Sequence, residues 1–141
     1  MANSISNQAV RERRQTNVLT TTQSISEGGS TKDYSIATDA LVITLPAITA
    51  DNLGLEYTFR NTGADGNNII TLSPAATDGI NGGFPFVTGS TASMNRASGT
   101  VNKDFINTKA TSKRGDFVTI KAVALTAWYI QGGQGVWASE A

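Results

Sequence analysis

Two acid-bearing turns, a Gly-Asp corner and two short glycine clusters are the stretches of this chain with residue types suited to chemistry. Asp65 in "GADGNN" (63–68) and Asp78 in "TDGINGG" (77–83) offer carboxylates and carbonyl oxygens of the kind calcium takes. Their spacing is not that of an EF-hand loop, and only these two side chains are anionic there. Arg114, Gly115 and Asp116 match the integrin-binding tripeptide, yet Gly-Asp before a strand is also an ordinary turn. "GADG" and "GGQG" lack the Lys-Ser/Thr ending and the strand–helix context of a phosphate-binding loop. A carboxylate pair for glycoside hydrolysis is spatial and is invisible to spacing.

What is missing narrows the field further. The chain has no Cys, so thiolate chemistry and disulfides are excluded. It has no His, which removes the commonest general base and the commonest transition-metal ligand. With 11 basic and 11 acidic residues the formal charge is zero, against the clustered positive surface that duplex nucleic acid requires. The expectation is a protein that is not an enzyme, holds no cofactor or metal, and partners neither nucleic acid nor membrane. No apolar run approaches the roughly 20 residues of a membrane span, and the N-terminus lacks the apolar core of a signal peptide. Synthesis in a cytoplasm is expected.

The elements that must carry these turns are strands. One domain is expected over residues 16–141, preceded by an arm at 1–15. The arm is small and polar, then charged: "VRERRQ" (10–15) holds Arg11, Arg13 and Arg14 beside Val10. A segment of this composition reads either as an ordinary disordered terminus or as an arm that orders on a partner, and fifteen extended residues reach at most roughly 50 Å.

From Thr16 the pattern is β. "NVLTTTQSI" (17–25) predicts a first strand, "EGGS" (27–30) a turn and "DYSIAT" (33–38) a second strand. In "ALVITLPAI" (40–48), Leu41, Ile43 and Leu45 alternate with Val42 and Thr44, and Pro46 ends the ladder. In "LEYTFRNTG" (55–63), Leu55, Tyr57 and Phe59 face one way and Glu56, Thr58 and Arg60 the other. The turn at 63–68 and "IITLSP" (69–74) then predict a hairpin. Residues 77–83 predict a turn. Residues 84–113 predict an irregular loop with one short strand near 100–106. "GDFVTIKAVAL" and "AWYIQGG" predict paired strands, and "GVWA" a short last one.

On the first of these, Val118, Ile120, Ala122 and Ala124 share one face, with Phe117, Thr119, Lys121, Val123 and Leu125 on the other. Both faces are partly apolar, as in a strand covered by its own core on one side and a neighbour on the other. Trp137, near the end of the chain, reads as a core plug or an interface anchor. Evenly spaced short strands and Gly/Asn/Asp turns together predict an all-β, antiparallel β-sandwich or jelly-roll-like domain.

Three stretches in order carry a resemblance: "ITLPAIT" (43–49), "GLEYTFRNTGADGNNIITLSPAATDGING" (54–82) and "KRGDFVTIKAVALTAWYIQGGQGVWA" (113–138). Together they resemble a small β-sandwich module of tailed-bacteriophage virion proteins, and they cover about two thirds of the chain. Such modules occur in capsid decoration (cement) proteins and in tail fibres or spikes. The short arm and the absence of a shaft or coiled coil favour the decoration protein. That resemblance implies a homo-oligomer, a trimer by expectation, on the outside of the head. It would bind the major capsid protein through the arm residues Val10, Arg11, Arg13 and Arg14. The expected contact between copies uses Phe117, Val123, Leu125 and Trp137. The alternative is a receptor- or glycan-binding module of a tail fibre, working through residues 84–98.

Overall fold

A computed structural model describes residues 16–26 and 31–141. The arm residues Val10, Arg11, Arg13 and Arg14 and the turn expected at 27–30 lie outside the described residues. The strands are β1 (Thr16–Leu19), β2 (Gln23–Ser24), β3 (Thr31–Ile36), β4 (Leu41–Thr44), β5 (Glu56–Asn61), β6 (Ile70–Ser73) and β7 (Gly79–Asn81). They continue as β8 (Gly83–Thr88), β9 (Thr91–Arg96), β10 (Phe105–Asn107), β11 (Phe117–Ala124), β12 (Ala127–Gln134) and β13 (Trp137–Ser139). A single 3-10 turn, Lys109–Thr111, is the only helical element among the described residues.

The strands form a six-stranded sheet in the order β1-β3-β5-β11-β12-β7, a five-stranded sheet in the order β13-β10-β6-β4-β2, and the separate β8–β9 hairpin. Both larger sheets are mixed, which corrects the antiparallel expectation. β1/β3, β3/β5, β2/β4, β4/β6 and β7/β12 pair in parallel. The cause is the route of the chain. From β1 to β7 each successive strand passes to the other sheet, so β1, β3 and β5 are entered in the same sense and must lie parallel. Only where consecutive strands stay together, in β8–β9 and β11–β12, does a hairpin form.

This route also corrects three local expectations. "NVLTTTQSI" is split between the sheets as β1 and β2. The turn at 63–68 is an arch from β5 to β6 rather than a hairpin loop. Asn61 and Asn68, both fully buried, point into it: Asn61 Oδ1 accepts from Gly63 N (2.9 Å) and Asn68 Nδ2 (3.2 Å). A Cβ at position 63 would lie 1.9 Å from that Asn68 amide, so the arch needs glycine there. The stretch 77–83 contains β7, paired with β12 through Ile80↔Trp128.

The alternating residues behave as their period requires. Leu41, Ile43, Leu45, Leu55, Tyr57, Phe59, Val118, Ile120 and Ala122 are all buried. Side chains from both sheets merge into one cluster around Tyr57, Phe59, Trp128 and Phe105. Removing each large apolar side chain from water contributes about 1.5–3 kcal/mol. Tyr34 stacks on Phe59 with ring centroids 5.2 Å apart, and Tyr57 meets Trp128 at 5.5 Å.

Candidate functional site

The carboxylates that drew attention in the sequence serve as locks for turns. Asp116, the acid of the Arg-Gly-Asp stretch, is 1% exposed. Its Oδ2 accepts from Asn107 Nδ2 (3.1 Å) and from Lys113 N (2.9 Å). An acid turned inward in this way is not presented to an adhesion receptor. Asp78 is equally buried and accepts from Ile48 N at 2.9 Å, tying the segment after β4 to the start of β7. Asp65 accepts from Arg114 N (2.8 Å) and stands 3.5 Å from Lys113 Nζ. Asp39 accepts from Lys109 Nζ and from Ile69 N. These donors hold both carboxyls, half-buried Asp39 and exposed Asp65, below their ordinary value. The Arg114 amide acts most on Asp65, and the Lys109 ammonium acts most on Asp39. Among the described residues no three His, Cys, Asp or Glu side chains gather as a metal site.

Buried amides extend this locking through the core. Asn68 donates to Asn61, Asn61 Nδ2 donates to Asn107 Oδ1 (3.0 Å), and Asn107 donates to Asp116 and to Val136 O (3.1 Å). The chain of bonds joins β5 of one sheet to β10 of the other. Asn95 of β9 does similar work at the end of the protein, donating to Gly135 O (2.7 Å) and accepting from Trp137 N (2.8 Å).

The four residues expected to meet another copy are not brought together. Trp137 is 3% exposed, stacks on Phe105 at 5.4 Å, and donates from Nε1 to Gln134 O at 3.1 Å. It is a core residue of this chain, which corrects its assignment to an intermolecular surface. Phe117 is half-buried at the start of β11, with the Arg60 guanidinium 4.6 Å from its ring centroid. Val123 and Leu125 lie at the other end of that strand and remain 54% and 56% exposed.

Around Val123 and Leu125 the fold collects apolar side chains that sequence reasoning missed. Gly54 N donates to Ala122 O at 2.8 Å, which brings exposed Leu53 to the same end of β11 as Val123. Gly79 pairs with Ala127 on one side and bridges Val101 on the other, bringing exposed Val101 to the same end. Tyr129, also exposed, lies opposite Lys121 on the outer face. The available signal was an isolated leucine inside a polar turn, "ADNLG".

At the opposite end of β11 and β12 lies a cleft of about 670 Å³. The stretch expected as a loop forms its roof as the β8–β9 hairpin, closed by Gly89 and Ser90. The hairpin is fixed at its base by buried Phe84, edge-on to Phe105 at 6.5 Å, and by Asn95. Beyond that base it overhangs the body. Phe86, Val87, Phe117 and Val136 give the cleft apolar walls, with Lys113 and Gln134 among its polar lining. Two of the three glycines of "GGQG" have a steric reason. A Cβ at Gly133 would come within 2.6 Å of the Phe84 ring, and one at Gly135 within 2.2 Å of the Asp116 carboxyl carbon.

The geometry therefore offers two contact surfaces, an apolar tip and a partly apolar cleft, on a scaffold in which Asp39, Asp65, Asp78 and Asp116 are engaged in turns. Compared with known proteins, the chain matches no family model and no curated protein at significant similarity.

Proposed function

We propose that the protein is a capsid decoration (cement) protein of a tailed bacteriophage. It binds the outer surface of the major capsid protein shell and stabilises the mature head as a homotrimer. The arm, with Val10, Arg11, Arg13 and Arg14, engages the shell, and the two sheets act as the layers of a small sandwich that holds the contact surfaces rigid. The observation that supports this reading is how the phage-like motif residues are used. Tyr57, Phe59, Asn61, Ile80, Val118, Trp128 and Trp137 are all buried. Most of the motif is thus spent on building a scaffold, while its exposed Val123, Leu125 and Tyr129, with exposed Leu53, are left for protein contact.

The test is co-sedimentation of purified protein with capsids that lack it. Saturable binding is expected, and deletion of residues 1–15 should abolish it. Absence of binding to every capsid form would overturn the reading. Undiminished binding by the truncated protein would remove the arm from it.

A further inference from the structure

We propose that copies of this protein pair through the free edge of β9, two β9 strands lying antiparallel about a two-fold axis at Ser93. This contact is separate from the trimer of the reading above and does not depend on it. Where copies already stand in oligomers, it links one oligomer to the next.

The backbone gives the first reason. β8 and β9 pair from Gly83↔Arg96 to Thr88↔Thr91, and just before them Ala97 N donates to Gly82 O at 2.9 Å. Hydrogen-bonded and non-hydrogen-bonded pairs alternate along an antiparallel ladder. Counting from Gly82 and Ala97, the pairs Phe84↔Asn95 and Phe86↔Ser93 are bonded, whereas Pro85↔Met94 and Val87↔Ala92 are not. The backbone groups of those last two pairs therefore point out of the hairpin.

The two edges differ. On β8 an outward position is Pro85, which has no N–H, and proline there blunts the edge. On β9 the outward positions are Ala92 and Met94, which keep their donors. Residues 91–95 hold no proline and no charge, and among the described residues no further strand pairs with this edge. β9 has six residues, while β1, β2, β7 and β13, which end the larger sheets, have two to four. Shortness, proline and charge are the usual protections of an edge, and β9 carries none of them between Thr91 and Asn95.

Register selects a second copy as the occupant. Two antiparallel β9 strands centred on Ser93 set Ala92 of each opposite Met94 of the other. Each of these pairs exchanges two N–H···O bonds and uses every outward group at both positions. The side chains fit the same register. Pro85, Val87, Ala92 and Met94 share the face opposite buried Phe84 and Asn95, and Val87 and Met94 are 68% and 54% exposed. In the paired sheet each row on that face is wholly apolar: Val87 and Ala92 from one copy, Met94 and Pro85 from the other. Met94 lies beside small Ala92, and two small serines meet on the axis. The two Arg96 stand at opposite ends of the contact, so like charges are not juxtaposed. One strand pair is small beside the standard contact of about 800 Å² per partner. A weak dimer is therefore expected of the free protein, with a Kd of roughly 1 mM.

The chain has no cysteine, so a single introduced thiol reports the contact. Position 93 forms a non-hydrogen-bonded pair with its copy, Cα atoms roughly 4.5 Å apart, within the span of a disulfide. Under mild oxidation Ser93→Cys should form the covalent dimer on the order of 10-fold faster than Val87→Cys, an exposed position distant from the axis. Placing Lys at both 92 and 94 of the Ser93→Cys protein, or Glu at both, should remove that advantage by like-charge repulsion. A 1:1 mixture of the Lys and Glu proteins should recover it and yield mainly mixed dimers. Circular dichroism and melting establish that each variant folds. Ser93→Cys no faster than Val87→Cys would overturn the pairing. A fast rate that the Lys protein keeps, or that the mixture fails to recover, would overturn the register and with it the proposal. Capsid binding is read separately by co-sedimentation, so failure here leaves the decoration reading standing.

Discussion

Replacing Asn107 with leucine removes the amide at the centre of the buried network while keeping the volume. Asn107 is fully buried, and three groups depend on it: Asn61 Nδ2 at 3.0 Å, Asp116 Oδ2 at 3.1 Å and Val136 O at 3.1 Å. A buried polar group left without its partner costs about 1–3 kcal/mol, and more for a charged one. Asp116 retains Lys113 N at 2.9 Å, which softens its loss. The added apolar burial of leucine offsets about 1–2 kcal/mol. The net expected loss is about 3–5 kcal/mol, a large part of the 5–15 kcal/mol that a typical domain possesses. In urea unfolding followed by tryptophan fluorescence, the midpoint should fall by roughly 2 M at an m-value near 2 kcal/mol/M. A loss below about 1 kcal/mol with unchanged m would show that the amide chain does not join the sheets energetically, and the reasoning would fail.

Other outcomes follow from the same structure. Trp137→Ala should destabilise the fold by about 3–5 kcal/mol through the cavity left against Phe105; a change within 0.5 kcal/mol in thermal unfolding would return Trp137 to the surface. Gly83→Ala should be poorly tolerated, because its Cβ would lie 2.0 Å from Asn95 O, and a melting temperature equal to the parent's would contradict that packing. Asp39 and Asp65 titrate below their ordinary value of 3.8, so the fold holds their charged forms better than the unfolded chain does. Their stabilisation is present above pH 3.8 and is lost as pH falls through the lowered values. The Asp39→Asn, Asp65→Asn double variant should therefore show a flatter acid limb in melting temperature against pH; an identical limb would refute the assignment.

Much of this protein was legible before folding. A strand buried on one side must repeat its apolar residues every second position, and so Leu55, Tyr57 and Phe59, or Val118, Ile120 and Ala122, announced their buried face. The β11–β12 hairpin was legible because its partners are separated by only two residues. The β8–β9 hairpin was not. Val87 and Met94, at 68% and 54% exposed, show that much of it faces water, and a strand with little buried surface has little reason to alternate.

The sequence by itself determined the β class, the buried faces, and the absence of His- and Cys-based chemistry. Tertiary structure alone decided which strands became neighbours. A Gly/Asn-rich turn such as 63–68 serves equally to fold a strand back on its sheet or to carry it across to another. The choice fell to Asn61, Asn68 and Asn107, whose hydrogen bonds form only when both sheets are in place. Trp137 shows the same rule. Nothing near it in the chain tells a core plug from an interface anchor. The ring of Phe105, delivered from a distant strand, makes it the former. Contacts between residues far apart in sequence carry no local signature, and those contacts placed the tip at one end of the hairpin and the cleft at the other.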